Sequence, residues 1–199
     1  MKTLVISTRN RKKVEEIKPL LADLPIQLQT VADFANVPEI VEDGHSFEEH
    51  ARKKASDVAK QIHQWTLAED SGLVVAALKG EPGIHSAYYA GEHGNDVANN
   101  QKLLQKLSTV PDQQRNAYYV CVAALADPNG QIVAVTEGRC HGRIATEEHG
   151  KSGFGYDPLF IVLEYHRTFG ELSPLVKQVL SHRSRAISSM KKYLLQYLG

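Results

Sequence analysis

The spacing of apolar residues along the chain changes several times, and each change predicts an element. Leu4-Val5-Ile6 within residues 2–7 reads as a buried strand. Asn10 can then cap a helix whose apolar positions, Val14, Ile17, Leu21 and Leu24, follow the helical period, with Pro19 expected to kink or shorten it. Residues 26–30 predict a second strand. Ser46 opens a long helix that gathers Phe47, Ala51, Ala55, Val58 and Ile62 on one face. Residues 67–70 and 73–78 read as strand segments on either side of a Ser71-Gly72 turn. A further helix is expected over 96–107, and a hairpin from 117–126 and 132–135 around Pro128-Asn129-Gly130. Near the end, Ser173-Pro174 has the form of a cap followed by proline at the first helical position. Ala186, Ile187, Met190, Tyr193, Leu194 and Tyr197 then give the last helix an apolar stripe. Alternating strands and helices with no linker or repeat predict one α/β domain over residues 1–199.

Composition narrows what such a domain binds. The 199 residues suffice for a core without staples or metals. The 23 basic residues balance the 23 acidic ones, so no overall field draws in nucleic acid or an anionic membrane. An anionic ligand must therefore be held by local charge. Cys121 and Cys140 lack metal-ligand spacing and are too few for a disulfide scaffold; they read as reduced thiols of a cytoplasmic protein. Neither a signal-peptide core nor a membrane-length apolar run is expected, which predicts a soluble protein.

Four segments carry candidate chemistry. In Ser7-Thr8-Arg9-Asn10-Arg11-Lys12-Lys13, hydroxyl and amide donors and several cations stand at a helix start. Cations there oppose the helix dipole, and a bound polyphosphate would offset that cost. Glu39, Glu42, Asp43, Glu48, Glu49, Glu69 and Asp70 supply carboxylates for a magnesium site, which takes one or two carboxylates along with phosphate oxygens. Glu69-Asp70, after an apolar strand run, is the strongest pair. Glu49 reads equally well as half of a Ser46-Phe47-Glu48-Glu49 capping box. Glycines in Gly150-Lys151-Ser152-Gly153-Phe154-Gly155-Tyr156-Asp157-Pro158 allow close backbone approach, while Phe154 and Tyr156 offer ring faces and Asp157 an acceptor. Lys177 and Ser181-His182-Arg183 present donors suited to a purine keto oxygen, or simply a polar helix surface.

In this order the segments resemble the inosine triphosphate pyrophosphatase family over essentially the whole chain. The likeness rests on Thr8 to Lys13, Glu42 to Ala51 with Lys54-Ala55, Glu69-Asp70-Ser71-Gly72-Leu73, Gly80 to Ala87, Gly138 to Ile144, Ser152 to Pro158, and Lys177 with Ser181-His182-Arg183. It implies an elongated two-lobed α/β protein with a long mixed sheet flanked by helices, a central active-site cleft, and assembly as a homodimer. It also implies Mg2+-dependent hydrolysis of non-standard purine nucleoside triphosphates (ITP, dITP, XTP) to the monophosphate and pyrophosphate. By the same resemblance, Thr8, Asn10 and Lys13 would hold phosphates, and Glu42 and Asp70 would bind magnesium, with Glu69 as a further candidate. Asp70 would be the acid/base residue, with Lys13 also catalytic. Ser71 would contact substrate, while Phe154, Gly155, Tyr156, Asp157, Lys177, His182 and Arg183 would surround the base. His50, Arg9, Tyr88, Tyr118 and Gln178 depart from the family pattern. Two other functions share these residues: a pyrophosphatase with another base preference, and a nucleotide-binding regulatory protein without catalysis.

Overall fold

The computed structural model describes residues 2–199. Seven strands form one mixed sheet in the order β2-β1-β3-β4-β5-β6-β7: β1 (Thr3–Ile6), β2 (Gln27–Thr30), β3 (Trp65–Val75), β4 (Asn116–Ala126), β5 (Ile132–Ile144), β6 (Phe160–Val162) and β7 (Arg167–Thr168). The β1 strand pairs in parallel with β2 and β3, whereas β6 pairs antiparallel with β5 and β7. Five helices complete the α/β fold: α1 (Arg11–Leu20), α2 (Phe47–Ile62), α3 (Asp96–Lys106), α4 (Pro174–Leu180) and α5 (His182–Leu198). No helix among the described residues is long and apolar enough to cross a membrane. The described residues divide into two compact units, one of residues 2–70, 121–138 and 183–199, the other of residues 71–120 and 139–182.

In the first unit, Leu4, Val5 and Ile6 are all buried, as expected of a parallel strand covered on both faces. Ile17 of α1, Leu21 just past its end, and Ala186, Ile187, Met190, Leu194 and Leu198 of α5 join β1, β3 and β4 in a single core. Each large apolar side chain so enclosed contributes about 1.5–3 kcal/mol. Asn10 caps α1, its side chain accepting from the backbone N–H groups of Lys12 and Lys13, and the helix stops one residue after Pro19. Leu24 therefore lies beyond it. The expected Ser46 cap of α2 is formed, with Ser46 Oγ accepting from Glu49 N at 3.1 Å. The Glu49 carboxylate, however, returns to His45 N at 2.7 Å rather than to the cap residue, which makes Glu49 a terminus-fixing side chain.

The second unit centres on Leu73, Val75, Leu103, Leu107, Phe160 and Phe169, with the two phenylalanine rings stacked 5.6 Å apart. Arg115 is buried there and donates to the carbonyls of Leu107, Val110 and Ala145. At the start of α4, Ser173 occupies the cap position ahead of Pro174 without a side-chain cap bond, so the proline carries more of that terminus than the serine.

Two expectations are corrected. Ser71-Gly72 is not a turn: β3 runs unbroken through it, because the pairing of β3 with its neighbour β4 in the sheet overrides the local turn preference. The second hairpin strand also extends far beyond residue 135, to Ile144. Its turn is as expected, with Asp127 Oδ1 accepting from Asn129 N and Gln131 N and with Gly130 at φ +83°.

Candidate active site

The β1 strand ends at Ile6, which pairs with Leu67, and Ser7 N donates to Leu67 O at 2.8 Å. Beyond that point β3 has no β1 partner, and its next residues are Ala68, Glu69 and Asp70. The two carboxylates thus emerge past the C-terminal end of a parallel strand, beside the loop leading to α1, although they lie inside β3 and not at its end. Thr8 Oγ1 accepts from Asn10 N at 3.2 Å, which shapes the entry to the helix.

Glu69 and Asp70 are neighbours with different partners. Glu69 is almost wholly buried, with Lys13 Nζ at 2.8 Å from Oε1, Arg183 Nη2 at 3.6 Å from Oε2, and the Cys121 thiol donating to Oε2 at 3.3 Å. Burial pushes its carboxyl up, but the cations of Arg183, Lys13 and Lys54 outweigh that and hold it well below the ordinary carboxylate range. Arg183, fully buried, also pairs with Glu16. Its burial would push the guanidinium down, and the charges of Glu69 and Glu16 reverse this and hold it up. Cys121 is driven well above the usual thiol value by burial and then by Glu69, so it stays a thiol.

Asp70 belongs to a second cluster. Lys54 Nζ bridges Glu42 Oε1 at 2.9 Å and Asp70 Oδ1 at 3.1 Å. His50 Nδ1 lies 3.0 Å from Asp70 Oδ2 and 3.6 Å from Glu42 Oε2. Burial alone would raise the Glu42 carboxyl, but Lys54, His50 and Lys13 together lower it. Lys54 is held up in turn by Asp70 and Glu42 against the effect of its burial. Ligand atoms of Glu42, His50 and Asp70 all fall within 4.8 Å of one another. Two carboxylates already drawn together on a cation are a donor set that suits a hard divalent ion such as Mg2+. Glu69 is not part of this cluster, and His50, which its residue type alone marked only as a departure from the family pattern, is.

The expected base-contacting residues are distributed between the units. In the second unit, Asp157 is buried, its Oδ2 accepting from Lys177 Nζ at 2.5 Å and from Phe154 N at 2.8 Å. Gly153 is required by this arrangement: with φ at +77°, a Cβ there would sit 2.0 Å from that same Oδ2. The Lys177 ammonium lies over the Phe154 ring, 4.6 Å from its centroid. Asp96 Oδ2 accepts from Gly155 N at 2.9 Å, fixing the loop to α3. His182 stacks on Tyr119 with centroids 4.6 Å apart and planes 12° apart. Tyr156, expected to offer a ring face, is instead buried in the core and donates its hydroxyl to Ser86 O at 2.9 Å. Ser71 is half-buried in β3. Arg183 belongs to the first unit with Glu16 and Glu69, and neither it nor His182 is the polar surface that residue type alone allowed.

This geometry can be set beside known proteins. The Ham1 family profile matches residues 4–193. The chain belongs to the Ham1 family. A Ham1 relative named dITP/XTP pyrophosphatase from Rhodopirellula baltica is 52% identical over 184 residues, covering 92% of this chain and 88% of that protein. Among solved structures, a HAM1 protein from Coxiella burnetii superposes with a TM-score of 0.90 at 39% identity, covering 98% of this chain and 100% of that one. A nucleoside-triphosphatase, dITP/XTP pyrophosphatase, from Mycobacterium abscessus gives a TM-score of 0.78 at 40% identity over 94% of this chain and 98% of that one. These Ham1 likenesses bear out the resemblance carried by the motifs.

Proposed function

We propose that this chain hydrolyses non-standard purine nucleoside triphosphates, of the type ITP, dITP and XTP, to the monophosphate and pyrophosphate. Its activity is Mg2+-dependent, and residues 1–199 act as one two-lobed domain. The observation that carries this reading is the meeting, in one unit, of a lysine-bearing helix start with two carboxylate clusters: Lys13 on Glu69, and Glu42 with Asp70 on Lys54. The names of its Ham1 relatives support the substrate class.

Glu42 and Asp70 hold the cation, which when bound supplies charge neutralisation for the triphosphate. The Asp70 carboxylate accepts the proton of the attacking water. Thr8, Asn10 and Lys13 bind the phosphates; the Lys13 ammonium, ion-paired with Glu69 at 2.8 Å, also neutralises the departing pyrophosphate. By the family resemblance, Ser71, Phe154, Gly155, Asp157, Lys177, His182 and Arg183 are assigned to the nucleoside, whereas Tyr156, buried with its hydroxyl on Ser86 O, supports the loop from within its own unit. Donors facing the purine 6-position suit a keto group and would be left unpaired against an exocyclic amine. Two buried free thiols fit a cytoplasmic enzyme, and assembly as a homodimer follows the family resemblance.

Turnover of inosine, xanthosine, guanosine and uridine triphosphates, scored as pyrophosphate against phosphate release, tests this. Preference for ITP or XTP with pyrophosphate as product is expected; release of orthophosphate, or no turnover of any of them, overturns it. Lys13→Ala should lower kcat/KM about 10- to 100-fold, the scale of one charge-assisted hydrogen bond. Unchanged constants would remove Lys13 from phosphate handling.

A further inference from the structure

His50 lies at a position that the reaction as proposed does not need. Its ring is almost wholly buried on α2, and both nitrogens are committed by geometry. Nε2 is 2.9 Å from Gly44 O, and since a carbonyl can only accept, Nε2 carries a proton. Gly44 permits this contact: a Cβ there would come within 3.0 Å of His50 Cδ2 and 2.8 Å of Glu49 Cβ. Nδ1 therefore faces Asp70 Oδ2 and Glu42 Oε2, two acceptors, across 3.0 and 3.6 Å. Such an arrangement needs either a second proton on the ring or a cation shared among the three atoms.

The carboxylate oxygens are sorted in a way that favours the cation. Lys54 takes Glu42 Oε1 and Asp70 Oδ1, which leaves the other oxygen of each carboxylate on the side of His50 Nδ1. Adjacent ligands about 2.1 Å from an octahedral ion stand about 3.0 Å apart, which is the His50–Asp70 spacing, while Glu42 Oε2 lies 3.6 Å from the ring nitrogen. A backbone carbonyl on the far ring nitrogen is the usual device for aiming the near nitrogen of a metal-bound histidine. Lys54 fills the corresponding orienting role for the two carboxylates.

We propose that the divalent-cation site of this chain has three protein ligands, Glu42 Oε2, Asp70 Oδ2 and His50 Nδ1, and that the imidazole nitrogen tilts it towards Mn2+ over Mg2+. The inference rests on the Glu42–Asp70 cation site of the proposed function and adds its third ligand and its metal preference. Nitrogen donors raise affinity for first-row transition ions, whereas Mg2+ favours an all-oxygen shell.

The test uses the full-length chain, stripped of metal and titrated with MnCl2, with bound ion followed by electron paramagnetic resonance and ligand nuclei by pulsed measurement of nitrogen-14 modulation. Imidazole modulation is expected in the unaltered protein, with Mn2+ outcompeting Mg2+. In His50→Asn the modulation should vanish and Mn2+ affinity fall about tenfold or more, a loss at least as large as removal of an outer partner. His50→Gln serves should the Asn variant fail to fold by circular dichroism. Bound Mn2+ without nitrogen modulation in the unaltered protein, or with unchanged affinity in the folded variants, overturns the third ligand and leaves the Glu42–Asp70 site standing. Failure to bind Mn2+ or Mg2+ at all overturns both that site and this inference.

Discussion

Asp70→Asn is expected to reduce pyrophosphate release from ITP or XTP by about 10³-fold or more while the protein remains folded. The substitution keeps the shape of the side chain but removes both the proton acceptor and the charge. A positioned base is commonly worth 10²–10⁴ in rate, and here the same carboxylate also faces Lys54 and His50. Its loss should not unfold the chain. Lys54 retains Glu42, and the asparagine oxygen can still accept from Lys54 Nζ. Rates measured under saturating metal, alongside circular dichroism and the thermal midpoint, separate the two effects. A folded variant turning over at near-normal speed would take Asp70 out of the chemistry.

The second large effect is on stability and falls at Arg183. Arg183→Ala should cost about 3–5 kcal/mol, because it takes the buried guanidinium away from the buried Glu69 carboxylate and removes a partner of Glu16. Lys13 would be the one cation still paired with Glu69, beside the weak Cys121 thiol donor. The pH dependence gives the sign. Glu69 is held well below its unfolded value, so its pairing stabilises the protein above about pH 4.5 and that contribution is lost as pH falls through the folded value. In the alanine variant the buried carboxyl shifts upward and accepts a proton more readily. The stability gap between the two proteins should therefore narrow on acidification. Denaturant unfolding at neutral pH and near pH 4 measures both; a gap below about 1 kcal/mol at neutral pH, or one that widens in acid, would contradict the buried network.

Much of this was legible in residue order, for identifiable reasons. Helical periods located α1 and α2, and cap chemistry at Asn10 and Ser46 set their starts to within a residue. These are local signals. What misled was the Ser71-Gly72 pair, where turn propensity competes with strand pairing from distant segments that no local window contains. For the site, residue type singled out Glu69-Asp70 and the Lys13 helix start, and the family resemblance added Glu42; Lys13 stands on Glu69, and Glu42 and Asp70 share Lys54. Residue type could not separate the role of Glu69 from that of Asp70, because its partners Arg183 and Cys121 lie 114 and 52 positions away along the chain. His50 was hidden differently. Its separation of eight positions from Glu42 spans the α2 start, where a loop and a helix turn bring them together. A histidine four residues into a capped helix, following an acidic loop, is the signal that could have found it.

Lys54 has one consequence for the protein at rest. Its ammonium, tethered to α2, sits between Glu42 and Asp70 and offsets their mutual repulsion without help from solution. The acidic pair is thus assembled as part of folding, unlike small domains whose shape depends on an ion arriving. Chelation would empty such a centre and leave its walls in place, ready to be recharged.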